Sequence, residues 1–193
     1  MEALFWIGLF GALYSYFLYP LLLLLVSRPR PLLPAAGELP SISLIVTAHN
    51  EARRIGAKLD NCLELDYPRE RLEILVASDA SDDETDDIVA GYADRGVRLV
   101  RAVQRQGKEW AQLLAVRAAQ GEILVFSDVA TMIPADALRR LAVDFADPKV
   151  GAVSSEDRFV APGGQLVGEG LYVRYEMWLR RLESGAAGLV GLS

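Results

Sequence analysis

Four clusters of polar and charged residues each follow a short apolar run, and their side chains suggest chemistry on a charged ligand. Thr47-Ala48-His49-Asn50-Glu51 is the first. Asn50 suits a helix N-cap and Glu51 a helix first turn. Alternatively, the strand-end backbone and these side chains bracket a base. His49 is the only histidine, and without a second ligand it does not make a metal site. The second cluster is Ser78-Asp79-Ala80-Ser81-Asp82-Asp83-Glu84-Thr85. Capping of a following helix by Ser81 or Asp82 accounts for part of it. Asp79 stands directly at the strand end, where a carboxylate can accept the N3–H of a uracil. The third, Gln104-Arg105-Gln106-Gly107-Lys108, opens a helix. A helix N-terminus offers free N–H groups and partial positive charge, and Lys108 adds a full one, which together would seat a diphosphate. A solvated surface lysine is the alternative. The fourth is Phe126-Ser127-Asp128-Val129-Ala130-Thr131. A carboxylate closing a central apolar strand needs a partner or a cation, unless Asp128 only makes turn hydrogen bonds.

The elements that must carry these clusters alternate along the chain. Ile42–Thr47, Leu72–Ser78, Val97–Val100, Ile123–Ser127 and Val150–Ser154 read as short apolar strands. Glu51–Leu65 reads as a helix, with Ile55, Leu59, Cys62 and Leu63 at helical spacing, stopped by Asp66-Tyr67-Pro68. Asp83–Ala93 and Gly107–Ala119 read as two more helices, the latter stopped by Gly121. A further helix runs from Pro134 to about Phe145. Strands alternating with helices predict an α/β fold with a mostly parallel sheet and helices on both faces. Ligands of such sheets bind beyond the carboxyl ends of the strands, where all four clusters fall.

The region before the first strand is different. From Ala3 to Val26 no residue is charged, and Phe, Trp, Leu, Ile and Tyr dominate. At about 1.5 Å per residue the run measures roughly 36 Å, against about 30 Å of bilayer hydrocarbon. We read 3–26 as a transmembrane helix. A signal peptide would carry a basic segment first, and only Met1 and Glu2 precede the run. Arg28 and Arg30 follow it, so the positive-inside rule puts the remainder in the cytoplasm. Residues 27–40, with Pro29, Pro31, Pro34, Pro40 and Gly37, read as a linker. The formal net charge of −6 and the lack of a Lys/Arg stripe argue against nucleic acid as a partner. Cys62 is alone, so no intrachain disulfide is possible.

The order of these clusters resembles the GT-A glycosyltransferases of family 2, from residue 41 to residue 193. Val46-Thr47-Ala48-His49-Asn50-Glu51 is similar to that family's V-T-x-x-N-E, and Ser78–Thr85 to its D-D-G-S-x-D-x-T. Gly107-Lys108 and Asp128-Val129-Ala130-Thr131 match its helix-opening G-K and its strand-end D-A-D-T. The resemblance implies a Rossmann-like GT-A fold for 41–193 and a nucleotide-sugar donor, expected to be a UDP-sugar. It implies that Thr47, Ala48, Asn50 and Glu51 line the nucleoside pocket, that Asp79 reads the base, and that Lys108 lies near the diphosphate. It implies that Asp128 meets the ribose or a bridging Mg²⁺ or Mn²⁺. The reaction implied is inverting: an acceptor hydroxyl attacks the anomeric carbon, a carboxylate takes its proton, and the metal stabilises the leaving nucleoside diphosphate. With the apolar helix alongside, the acceptor expected is a lipid-linked or growing glycan at a cell membrane, with membrane lipid as a neighbour.

The departures are specific. Ser78 replaces the family's first Asp, Ala80 its Gly, and Ala130 the second metal Asp. A methyl group cannot ligate a hard cation. The family's catalytic base is expected beyond Ser193, so no catalytic residue is assigned and the chain reads as C-terminally truncated. Glu156 and Asp157 suit a solvated or capping pair better than that base. Leu171–Glu183 reads as a helix with Leu171, Tyr175, Trp178, Leu179 and Leu182 on one face, set for core or acceptor-side packing ahead of a membrane interface. Two rivals stand beside the transferase. One is a non-catalytic GT-A-like binding or partner subunit of a glycan-synthesis complex. The other is a nucleotidyltransferase, whose Gly-rich basic loop is missing from Thr47–Glu51.

Overall fold

The computed structural model describes residues 1–27, 38–154 and 171–187. The chain divides into two compact units, Leu33–Ala146 and Met1–Leu32 together with Asp147–Ser193. Most of the expected linker, Glu156, Asp157 and Ser193 lie outside the described residues.

The first unit is built on a four-stranded parallel sheet of β1 (Ile42–Ala48), β2 (Leu72–Ser78), β3 (Val97–Arg101) and β4 (Ile123–Asp128), in the order β3-β2-β1-β4. The register pairs Ala48 with Ser78, Ser78 with Arg101, and Thr47 with Asp128. All four strands therefore end along one edge, as the alternation of elements predicts. Side chains of β1 alternate between two cores, because successive residues point to opposite faces. Ile42, Leu44, Val46 and Ala48 join Ile74, Val76, Ile55, Leu59, Cys62, Val89 and Leu138. Ile45 meets Leu75, Ala77, Ala111 and Ala115 on the other face. Helices α3 (Ile55–Leu63), α4 (Thr85–Ala90) and α6 (Ala137–Asp144) supply the first core, and α5 (Lys108–Ala118) the second. Full burial of each Ile or Leu here stabilises by about 1.5–3 kcal/mol.

Several sequence expectations shift. The helix expected from Glu51 begins at Ile55, with Arg54 as its N-cap, so neither Asn50 nor Glu51 caps it. The Asn50 side chain is committed to Asp82, and Glu51 meets Arg54 with its carboxylate and accepts the Arg54 and Ile55 N–H on its carbonyl. The helix expected over Asp83–Ala93 is only Thr85–Ala90, followed by a 3₁₀ turn at Ala93–Arg95. Pro134 lies one turn ahead of α6, its carbonyl accepting from Ala137 N–H at 3.0 Å. Gly121 does more than end a helix. A Cβ there would come within 2.4 Å of the Ser43 backbone nitrogen, so only glycine lets the chain pass β1. Residues 150–154 form no strand. Val150 N–H closes a turn onto the Asp147 carbonyl, and Gly151 and Ala152 are exposed, so the apolar composition is not used for sheet packing. Glu38–Pro40, at the end of the expected linker, is tied down by Arg71 and by the Tyr67 hydroxyl, which donates to the Pro40 carbonyl.

In the second unit, α1 (Glu2–Leu13), a π-helical turn (Tyr14–Leu18) and α2 (Tyr19–Val26) form one helix of 25 residues, with a mean hydropathy of 2.0 over an 18-residue stretch. It is long and apolar enough to cross a membrane. Helix α7 (Leu171–Ala187) packs on it: the Tyr175 hydroxyl donates to the Tyr16 carbonyl at 3.2 Å, and the Tyr19 hydroxyl to Glu183 at 2.7 Å.

Candidate functional site

The four clusters meet at the carboxyl edge of the sheet, and hydrogen bonds join each loop to the next. The loop after β1 is fastened to the loop after β2. Asn50 takes a left-handed backbone, φ 56°, which asparagine tolerates. Its side chain and Asp82 exchange two bonds, Asn50 Nδ2–H to Asp82 Oδ1 at 2.6 Å and Asp82 N–H to Asn50 Oδ1 at 3.0 Å. Asn50 N–H donates to Ser81 Oγ, Glu51 N–H to Thr85 Oγ1, and Ala52 N–H to Asp83 Oδ2. Asp83 also accepts from Thr85 N–H and its hydroxyl, and the hydroxyl bond leads in holding its carboxyl below the ordinary value. Helix α4 is thus organised by Asp83, not by Ser81 or Asp82. The Glu51 carboxylate pairs with Arg54 at 2.8 Å.

Asp79 fastens the second loop to the third. Asp79 is buried, and Gln106 N–H and Gly107 N–H each donate to one carboxylate oxygen at 2.9 Å. Gly107 holds φ 99° as the N-cap of α5, a conformation that suits glycine. The acid at the end of β2 is therefore seated on the positive end of α5, which favours its charge. The Asp79 carbonyl accepts from His49 Nδ1–H at 2.8 Å, and its N–H donates to the Ala48 carbonyl. Ser78, where the family carries Asp, is buried and donates to Asp86, which pairs with Arg101 at 2.5 Å. Ala80 has φ 51° without a glycine's freedom.

The third and fourth loops meet through Lys108 and Asp128, Nζ to Oδ1 at 2.8 Å. Thr47 points to the α5 face, its hydroxyl oxygen accepting from Gln112 Nε2 at 3.0 Å. Ala48 is buried and offers the site only backbone. Thr47, Asn50, Glu51, Asp79, Lys108 and Asp128 thus stand along one edge, Lys108 and Asp128 in direct contact. The lining of this edge also includes residues the sequence reading passed over. Lys58 of α3 is fully buried and donates to Ser127 Oγ and the Thr131 carbonyl. Burial lowers its pKa, with Cys62 and Asp128 opposing the shift. Burial also raises the Cys62 thiol, to about 11, so it stays protonated. The signal for Lys58 was its position: Ile55, Lys58, Leu59 and Cys62 fall on one helical stripe, so the lysine sits on the apolar face.

A divalent cation at this edge would find the Asp128 carboxylate but only a methyl at Ala130. Among the described residues no group of three or more His, Cys, Asp or Glu side chains could hold a metal. Mg²⁺ and similar ions are often bound through one or two carboxylates, with phosphate and water oxygens completing the shell. Asp128 fits a cation that arrives on a diphosphate, not one caged by protein.

Comparison with known proteins agrees with this construction. The sequence model of the family described as Glycosyl transferase family 2 matches residues 43–168. A dolichyl-phosphate beta-glucosyltransferase of Drosophila melanogaster is 32% identical over 133 residues, 59% of this chain and 41% of that protein. A beta-monoglucosyldiacylglycerol synthase of Trichormus variabilis is 34% identical over 121 residues, 61% of this chain and 26% of that protein. Among solved structures, a mannosyltransferase from Pyrobaculum calidifontis in complex with GDP-Man and Mn²⁺ superposes with a TM-score of 0.73 and 34% identity. That match covers 91% of this chain and 48% of the mannosyltransferase. The chain spans less than half the length of each of these relatives. Its parallel sheet with helices on both faces is that of the GT-A fold, and the chain belongs to glycosyl transferase family 2.

Proposed function

We propose that this chain is the donor-binding part of an inverting glycosyltransferase, anchored in a membrane by residues 3–26 with residues 41–193 on the cytoplasmic side. It takes a nucleotide sugar, with a UDP-sugar as the expected donor, and glycosylates a lipid-linked or glycan acceptor. The observation that carries this reading is the Lys108–Asp128 contact at 2.8 Å, which sets a cation and a carboxylate together at the sheet edge. Lys108 stands in the first turn of α5 and can offer its ammonium to a diphosphate, while the Gln106 and Gly107 N–H groups at that helix end are taken by Asp79. Thr47, Ala48, Asn50 and Glu51 form the nucleoside side, Asp79, expected from the sequence to read the base, fastens the start of α5 that carries Lys108 to the diphosphate end, and Asp128 meets a donor-borne Mg²⁺ or Mn²⁺. When bound, that cation would neutralise charge on the leaving diphosphate.

The lipid side rests on two supports. The N-terminal helix is long and apolar enough to span, and two relatives are named for dolichyl-phosphate and diacylglycerol products or acceptors. The mannosyltransferase holds GDP-Man, so UDP- and GDP-sugars are the pair to compare. Calorimetric titration of both, with and without Mn²⁺, into the chain in detergent tests the proposal. We expect Mn²⁺-assisted binding that Asp79→Ala and Asp128→Ala abolish. Absence of binding from folded protein at millimolar donor would defeat it.

A second reading, a non-catalytic partner subunit, draws on Ala130, which removes one metal carboxylate. Ala130→Asp separates the two. Gain of metal affinity, with no transfer by the unmodified full-length protein, favours the partner.

A further inference from the structure

Two side chains of α3 hold the chain that follows β4. The Lys58 ammonium donates to Ser127 Oγ at 2.7 Å and to the Thr131 carbonyl at 2.5 Å. Three residues on, Asn61 exchanges two bonds with Ile133: Nδ2–H to the Ile133 carbonyl at 2.9 Å, and Ile133 N–H to Asn61 Oδ1 at 2.8 Å. Residues three apart share a helix face, so both reach the same segment. Between the two anchors lies Asp128-Val129-Ala130-Thr131, closed by Thr131 N–H on the Asp128 carbonyl at 3.2 Å and pinned by the buried Val129.

A lysine with no exposed surface is costly to fold around unless its ammonium is hydrogen-bonded. An apolar side chain would extend the stripe of Ile55, Leu59 and Cys62 without that cost. Here the ammonium is placed where it grips both ends of a four-residue turn. The turn bears Asp128, whose side chain is 57% exposed and pairs with Lys108 of α5 at 2.8 Å. The carboxylate is thus met by Lys108 at its tip, while the backbone that carries it is held by α3.

We propose that Lys58, with Asn61, is a positioning residue for the donor site: it fixes the Ser127–Ile133 segment so that Asp128 keeps its place at the diphosphate end. The inference rests on the functional reading above. It also joins two walls of the site, since α3 begins directly after the Asn50–Glu51 loop and grips the loop after β4.

The test uses the full chain in detergent, with UDP and GDP as probes in the presence of Mn²⁺. Lys58→Met, Ser127→Ala and Asn61→Ala are titrated alone and in an Asp128→Asn background, with folding checked by circular dichroism. Loss of a residue that orients a ligand typically weakens binding roughly ten- to hundredfold, which is expected for Lys58→Met. Ser127→Ala, the variant least able to disturb folding, is expected to lose less in the same direction. In the Asp128→Asn background Lys58→Met should add little further loss, because its effect runs through that carboxylate. Equal losses in both backgrounds, or unchanged affinity in folded Lys58→Met and Ser127→Ala, overturn the inference while leaving the functional reading standing. Unmodified protein that binds neither nucleotide overturns the functional reading and this inference with it.

Discussion

Lys108 Nζ and Asp128 Oδ1 lie 2.8 Å apart, with side chains 56% and 57% exposed. An ion pair so exposed contributes at most about 1 kcal/mol to stability. The two groups can part when a ligand brings its own charges. Lys108→Ala and Asp128→Asn are therefore expected to shift the unfolding free energy by less than about 1 kcal/mol while weakening donor binding severely. Urea melts read beside donor titrations check both halves.

Asp79 behaves oppositely. Its carboxylate is nearly buried and accepts from Gln106 and Gly107 N–H. Bonds to a charged group contribute about 1.5–3 kcal/mol, so Asp79→Ala should destabilise by about 2 kcal/mol as well as weaken donor binding. Amide exchange at Gln106 and Gly107 should quicken in the same variant. Stability unchanged by Asp79→Ala would show that the tether carries no weight.

Ala80 holds φ 51°. A left-handed conformation costs a non-glycine residue about 1–2 kcal/mol, partly offset by the lower entropy of its unfolded chain. Ala80→Gly is expected to stabilise by up to about 1 kcal/mol, read as a higher denaturant midpoint at unchanged slope.

Asp83 carries a pH dependence. Its folded carboxyl lies below the ordinary 3.8 because of the Thr85 hydroxyl bond first, with backbone bonds from Thr85 and Ala52 adding to it. A carboxyl depressed on folding contributes stability that is complete above its unfolded value and is lost as pH falls through the folded one. Asp83→Asn should thus be less stable than the parent at pH 7, and the gap should narrow below pH 3.8. Melts at pH 7 and pH 3 measure it.

The strands were legible because each is a short apolar run, and the parallel topology then put all four clusters on one edge. Helix starts were less legible. Asn50 and Glu51 look like cap and first turn, yet Asn50 is bonded to Ser81 and Asp82 and the Glu51 N–H to Thr85, some thirty residues away, which no local pattern reveals. Val150–Ser154 has strand composition, but a turn at Asp147 and exposed Gly151 and Ala152 decide otherwise. A lysine is ordinarily solvated, so only its place on the apolar stripe of α3 marks Lys58 as buried. The place of Asp79 at a strand end is legible in the sequence, while its two backbone partners, Gln106 and Gly107, come together only in the fold.

The bonds of Asn50, Glu51 and Ala52 to the loop after β2 bear on how this wall can change. Asn50 answers Asp82 and Ser81, Glu51 answers Thr85, and Ala52 answers Asp83. A residue inserted in either loop would strip the other of its partners. The two loops therefore form one heritable block: a chimera that imports the first from another family member has to import the second with it.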